Sequence, residues 1–384
     1  MLNRSRMVKV LFIVGFVLLG LVLIRFVASG SRQSVTPTHR IAAASVEPTH
    51  QNTAVKQAIN SKFQTKLVQT LKQDNYSGSA IIYDNGQQVA SYNAGYANYL
   101  SRIKNQANTM YEIDSIQKSI TGVLVMQQVA KRQLALSDRL NKFYPNVPGS
   151  QNITIRQMLN MTSGLIMTGP VGPMVAKTDT QIIQSDISRV HYLRVMHGRW
   201  NYQAINFNLL CGILEKITHQ SYQQLFYEQI IERLHLQRTA FAYKLPNSTI
   251  AATGYDGLIG KNQKLIYTKP SVRNQALEQD ELGTGQVYMS VGDLYRVESA
   301  IVSGKIVPLQ LLQQLYQGGS YSKYEAGFYT HKQVKSANGS GYGFESSIHI
   351  SPNGKNAVIL LSNYQEPLFR VRSLAQKFDY LLFN

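Results

Sequence analysis

Two pairs of strand-forming runs, set towards opposite ends of the sequence, constrain this chain more than any other feature. In the first pair, Ser79–Tyr83 and Gln88–Tyr92 are separated by Asp84-Asn85-Gly86-Gln87, a turn sequence between two short apolar runs. In the second, Ser346–Ile350 and Ala357–Leu361 flank Pro352-Asn353-Gly354. Between the pairs the apolar period becomes helical. Val123, Val125, Met126, Val129 and Ala130 continue a helix that opens near Ser115, and Leu209–Ile217 and Tyr222–Leu234 also read as helices. Phe369–Phe383 is expected to form a closing helix. Strands at both ends with helices between predict an α+β fold: an antiparallel sheet built from both ends of the domain, flanked by helices, with a mainly helical lobe inserted. No internal repeat is evident.

Composition narrows the function classes. A chain of 384 residues at 44% hydrophobic is long enough to bury one large core or two lobes. Only 16% of residues are charged, and the net charge is +18, so the field of the protein favours polyanions. The positive residues are scattered and no nucleic-acid-binding motif appears, which argues against a nucleic-acid partner. A single cysteine, Cys211, excludes an intrachain disulfide and reads as a buried, inert thiol. No metal is expected: His191 and His197 are not spaced for one helix face, and His219, His235, His331 and His349 lack ligand spacing. No phosphate-cradling glycine loop precedes a helix, and no cofactor is expected.

From Val10 to Ile24 every residue is apolar or glycine, with Arg4, Arg6 and Lys9 before and Arg25 after. At about 1.5 Å per residue this core spans roughly 22 Å, and snorkelling by Lys9 and Arg25 extends it towards the ~30 Å of a bilayer. The expected organisation is a cytoplasmic basic tail over 1–9, a single-pass membrane anchor over 10–28, a flexible linker over 29–54 and a globular domain over 55–384, held outside the cytoplasm by the positive-inside rule. A signal peptide cleaved near Ala28-Ser29-Gly30 is the alternative. The domain begins with an amphipathic helix carrying Ile59, Phe63, Leu67 and Leu71, ending near Asp74-Asn75.

The candidate for chemistry is Ser115-Ile116-Gln117-Lys118, at the start of a helix. Residues three apart share a helix face. A serine hydroxyl becomes a nucleophile when a nearby base takes its proton, and a desolvated lysine can be that base. The spacing alone is unspecific, since Ser101/Lys104 and Ser320/Lys323 repeat it in polar, loop-like sequence.

Context supplies the specificity. The Ser-x-x-Lys helix, Gly78-Ser79-Ala80-Ile81-Ile82 with its turn, Leu134-Ala135-Leu136-Ser137-Asp138, Thr162-Ser163-Gly164-Leu165 and Gly283-Thr284-Gly285 occur in an order that resembles the serine β-lactamase and penicillin-binding-protein-like superfamily, in particular its class C and esterase branch. The resemblance covers about residues 76 to 365 and implies a β-lactamase/transpeptidase-like fold, with Ser115 as nucleophile and Lys118 as base. It assigns Tyr202, the tyrosine of the family's Tyr-x-Asn motif, as proton shuttle; the asparagine position is Ala204, and Asn206 is out of register to replace it. The third motif, normally a cation followed by Ser/Thr and Gly, falls on Ala337-Asn338-Gly339. By resemblance Gly339 and Asn338 border the substrate, Gly339 letting the strand approach it closely, and the backbone N–H groups of Ser115 and Ser340 form the oxyanion hole. Lys335 shares the strand face of Ala337 and is expected to be a solvated edge lysine, with partial compensation for the missing cation as the alternative.

Ala337 cannot hold a substrate carboxylate and Ala204 cannot contact a peptide amide. A D-alanyl ester of teichoic acid has neither group and belongs to an anionic polymer, so the resemblance implies a membrane-anchored D-alanyl esterase. Two alternatives stand beside it: a DD-carboxypeptidase or related hydrolase of the peptidoglycan stem peptide using Lys335, and a non-catalytic wall-binding module.

Overall fold

The computed structural model describes residues 61–383, except 169–174, 246–250, 260–264, 268, 272–273, 317–321, 332 and 367–369. The expected tail, anchor and linker, and the first turns of the helix expected from Val55, lie outside the described residues. Among the described residues no helix is long and apolar enough to cross a membrane.

Helix α1 (Ser61–Gln73) turns Phe63, Leu67 and Leu71 onto one buried face, and Asn75 ends it in the left-handed conformation. Strands β1 (Gly78–Asp84) and β2 (Gln87–Ala94) follow. They run one or two residues longer than the sequence signals, because the turn needs only Asn85 and Gly86, both at positive φ. At the other end of the chain come β3 (Tyr324–Glu325), β4 (Phe328–Thr330), β5 (Lys335–Gly341), β6 (Phe344–Ile350) and β7 (Ala357–Ser362). All seven join one sheet in the order β3-β4-β5-β6-β7-β1-β2. The two hairpins meet directly, with Ile81 opposite Ile359 and Ala80 opposite Leu360 in an antiparallel register.

The period of two then sorts side chains to the two faces. Ile81, Ile348, Ile359 and Leu361 enter the main core under the helical lobe. Ala80, Ile82, Val358 and Leu360 enter a second core beneath α1 and the C-terminal helices. The expected closing helix is two pieces, α5 (Arg370–Gln376) and α6 (Asp379–Phe383). Phe378 breaks it by plunging fully into that second core, which swings Asp379 to within 2.6 Å of His349 Nδ1.

The lobe is organised around α2 (Gln117–Ala130), buried along nearly its whole length. The polar residues of its first turns are committed: Gln117 takes the Gln286 N–H at 2.7 Å, Thr121 donates to Gly283 O at 2.7 Å, and Ser119 donates to Glu298 at 2.6 Å. Helix α3 (Ile205–Thr218) starts earlier than its apolar run because Asn206 and Asn208 are buried and bonded inside, Asn208 to Asp186 at 3.0 Å. The run from Tyr222 is α-helical only to Phe226 and continues as a wider π-turn over Tyr227–Glu232. Helix α4 (Val291–Val302), capped by Ser290, carries Glu298 against α2.

Candidate active site

The strand Tyr111–Glu112 is held by pairing with Val287–Met289, and Ile113 N–H donates to Val287 O at 2.9 Å. Asp114 then turns the chain at φ 46°, a backbone region that costs a non-glycine residue about 1 kcal/mol or more. A single 3₁₀ turn, Asp114–Ile116, leads into α2. This sharp strand-to-helix junction leaves Ser115 half-buried at the mouth and carries Lys118 inward, where it is 2% exposed. Lys118 Nζ lies 2.9 Å from Ser115 Oγ and 3.2 Å from the carbonyl of Thr284. The Gly283-Thr284-Gly285 segment is thus a strap along the first turn of α2 that supplies an acceptor for the lysine. Burial pushes the Asp114 carboxyl well above the usual carboxylate range; Glu112 and Glu281 add to this and Lys118 opposes it.

Tyr202 reaches the same place from the lobe. The segment before it is tied down where Gly198 and Asn201 donate to the carbonyls of Thr162 and Met161, at 2.9 and 2.8 Å. The Tyr202 ring stands 5.2 Å from Lys118 Nζ and edge-on to Tyr324 at 5.7 Å. Ala204 is exposed, while Asn206 points inward to Gln203 O and Met161 and is not a substitute amide.

From the sheet, β5 arrives as a half-paired strand. Strand β4 pairs only with Lys335 and Ser336, so Asn338–Gly341 run beyond it along the cleft. Gly339 also has a packing role: a Cβ there would collide with Ile113 O and Asp114, so the missing side chain brings the strand against the nucleophile's own turn. Asn338 Oδ1 accepts the Ser347 hydroxyl at 2.8 Å, and Ser340 Oγ accepts from Gln365 at 2.8 Å. The expectation for Lys335 is overturned. It is buried, donates to Thr330 Oγ1 at 3.0 Å, lies 3.4 Å over the Tyr316 ring, and burial lowers its pKa to about 8, with Glu325 opposing. It does not line the cleft.

Ser115, Tyr202, Asn338, Gly339 and Ser340 therefore converge on one cleft of about 410 Å³. A larger hollow of about 800 Å³ lies at the far end of α2, around Arg132 and Leu134, and contains none of these residues. Sequence reasoning missed the cleft's aromatic wall, in which Trp200, Tyr202, Tyr324 and Tyr329 follow one another at 5.1 to 6.5 Å, the buried Glu345 behind it and the exposed Arg372 at its edge. Only Trp200, two residues before Tyr202, carried a local signal. Trp200 Nε1 and Asn338 Nδ2 are covered donors with no partner among the described residues, a state that costs about 1–3 kcal/mol each. The decoy at Ser101/Lys104 lies on an exposed hairpin, with Lys104 over the Tyr96 ring; Ser320 lies outside the described residues. Cys211 is fully buried, and burial pushes its thiol up, away from reactivity.

The Beta-lactamase family profile matches residues 61–378. The chain belongs to the Beta-lactamase family. It is 28% identical over 301 residues to the putative penicillin-binding protein PbpX of Bacillus subtilis, covering 78% of this chain and 74% of that one. It is 25% identical over 379 residues to the teichoic acid D-alanine hydrolase of Staphylococcus aureus, covering 94% and 91%. The crystal structure of FmtA from Staphylococcus aureus superposes with a TM-score of 0.69 at 24% identity, covering 83% of this chain and 88% of that one, which shows the shared fold. This Beta-lactamase family member is a serine hydrolase, and the non-catalytic alternative is set aside.

Proposed function

We propose that this hydrolase removes D-alanyl groups from teichoic acid through an acyl-enzyme on Ser115. The observation that carries the reading is a nucleophile–base pair at 2.9 Å whose serine opens on the cleft, in a chain where the resemblance sets Ala337 and Ala204 at the family's positions for a carboxylate-binding cation and a peptide-binding amide. A D-alanyl ester needs neither. The extended likeness to a protein named teichoic acid D-alanine hydrolase supports the same substrate.

In this mechanism Lys118 accepts the Ser115 proton as Oγ attacks the ester carbonyl. Negative charge gathers on the carbonyl oxygen between the backbone N–H groups of Ser115 and Ser340. Collapse expels the polyol oxygen, which takes a proton from Tyr202 as Tyr202 recovers one from Lys118; a water then gives a proton to Lys118 and attacks the acyl carbon, and D-alanine leaves as Ser115 Oγ takes that proton back. The carboxypeptidase alternative needs Lys335 to hold a terminal carboxylate, and its Nζ is engaged by Thr330 and Tyr316. Residues 10–28 as a membrane anchor would hold the domain outside the cytoplasm, beside the polymer.

Release of D-alanine from D-alanylated lipoteichoic acid, run beside a D-Ala-D-Ala peptide, tests the reading. The polymer is expected to be the better substrate, Ser115→Ala to lower its turnover by at least about 1,000-fold, and Tyr202→Phe by about 100-fold. Retained release by Ser115→Ala, or preference for the peptide, would sink it.

A further inference from the structure

We infer that the rim of the cleft holds a phosphodiester subsite, centred on Arg372, that binds the polyol phosphate chain carrying the ester. The inference rests on the esterase reading and adds the group that recognises the leaving-group side. Asn338 and Ser340 are two apart on β5 and so face the same way. Ser340 is paired across the sheet with Glu345, whose carboxylate accepts the N–H of Glu366 at 2.7 Å and of Val371 at 3.0 Å. That clamp seats the first turn of α5 against β6 and sets Arg372, the next residue after Val371, at the cleft rim.

The chemistry of this corner is that of donors. Asn338 spends its Oδ1 on Ser347, which leaves the amide nitrogen to donate, and that nitrogen has no partner among the described residues. Ser340 Oγ accepts from Gln365, which leaves its proton to donate. Arg372 is exposed, its guanidinium lies 5.7 Å from the Tyr329 ring centre, and no carboxylate among the described residues forms an ion pair with it. Glu345, the one acid lining the cleft among the described residues, already has both oxygens occupied. A phosphodiester offers acceptor oxygens and a single negative charge, and guanidinium matches it in geometry and charge. With Ala337 unable to bind an anion deep in the site, anion recognition moves to the rim, where the charge stays partly solvated.

Two readouts test the subsite. The first is the ratio of kcat/KM for D-alanylated lipoteichoic acid to that for D-alanine methyl ester, which has no phosphate. Arg372→Ala is expected to lower this ratio about tenfold through KM, and added salt to lower it in the wild type more than in the variant. The second is calorimetric binding of poly(glycerol phosphate), stripped of D-alanine, to the Ser115→Ala protein, which adding Arg372→Ala is expected to weaken about tenfold. Equal losses on both substrates, or unchanged polymer binding, would overturn the subsite. Polymer binding that depends on Arg372 in a protein that releases no D-alanine would instead overturn the esterase reading and leave the subsite standing.

Discussion

The two ends of β5 belong to one seven-residue strand and face the same lobe, yet they do opposite work. At its start Lys335 is paired on both sides by β4 and β6, and its ammonium is enclosed by Thr330, Tyr316 and Glu325. At its end Asn338–Gly341 run past β4 along the cleft, and Gly339 presses against Ile113 and Asp114. Along the inward face the side chains shrink from Lys335 through Ala337 to Gly339 as the strand closes on the nucleophile's turn. The space beneath a strand, more than its sequence spacing to a motif, decides whether a cation beside that motif is catalytic or structural.

Gly339→Ala should break the cleft end most severely. The new Cβ meets backbone, which cannot swing aside as a side chain would, so the nucleophile turn must move. We expect D-alanine release to fall by about 100-fold or more and thermal unfolding to report a loss of about 1–3 kcal/mol. Normal activity in this variant would show that the close approach is incidental.

A smaller effect is expected behind α2, where Glu298 accepts the Ser119 hydroxyl and burial pushes its carboxyl up to about 8. An acid with a raised folded pKa keeps its proton in the native state while the unfolded chain loses it, so this group makes stability fall as pH rises from about 4.5 to 8. Glu298→Gln keeps an acceptor for Ser119 and should flatten that decline in melting temperature against pH. An unchanged slope would exclude Glu298 as its source.

Lys335→Met should produce the smallest change. Activity on the polymer is expected to stay within about twofold, which separates the buried end of β5 from the catalytic end. The Lys335 pKa is lowered from 10.5 to about 8, so over that interval the native state sheds the proton first and stability rises with pH. The variant should lose that rise. A large loss of D-alanine release would mean that Lys335 acts in the site after all.

Much of the fold was legible because it rests on local periods. Short strand-forming runs on either side of turn sequences identified the hairpins of β1–β2 and β6–β7, and a four-residue repeat identified α1 through Phe63, Leu67 and Leu71. The closing helix was not legible as two pieces, because what breaks it is the demand of a distant core for Phe378. In the site, Ser115 and Lys118 could be paired from spacing and Tyr202 from resemblance. Tyr324, Tyr329 and Arg372 could not, since they come from two separate stretches of chain that only the fold brings beside Trp200 and Tyr202.

By itself the sequence determined that two sheet halves flank a helical lobe and that a serine and a lysine share one helical turn. Both follow from interactions among residues a few positions apart. Only the tertiary structure decided that Lys335 is buried away from the cleft, that Gly339 serves the nucleophile's turn, and that Arg372 stands at the rim. Those outcomes depend on how much room distant segments leave one another, and close packing between such segments has no counterpart in the local pattern of the chain.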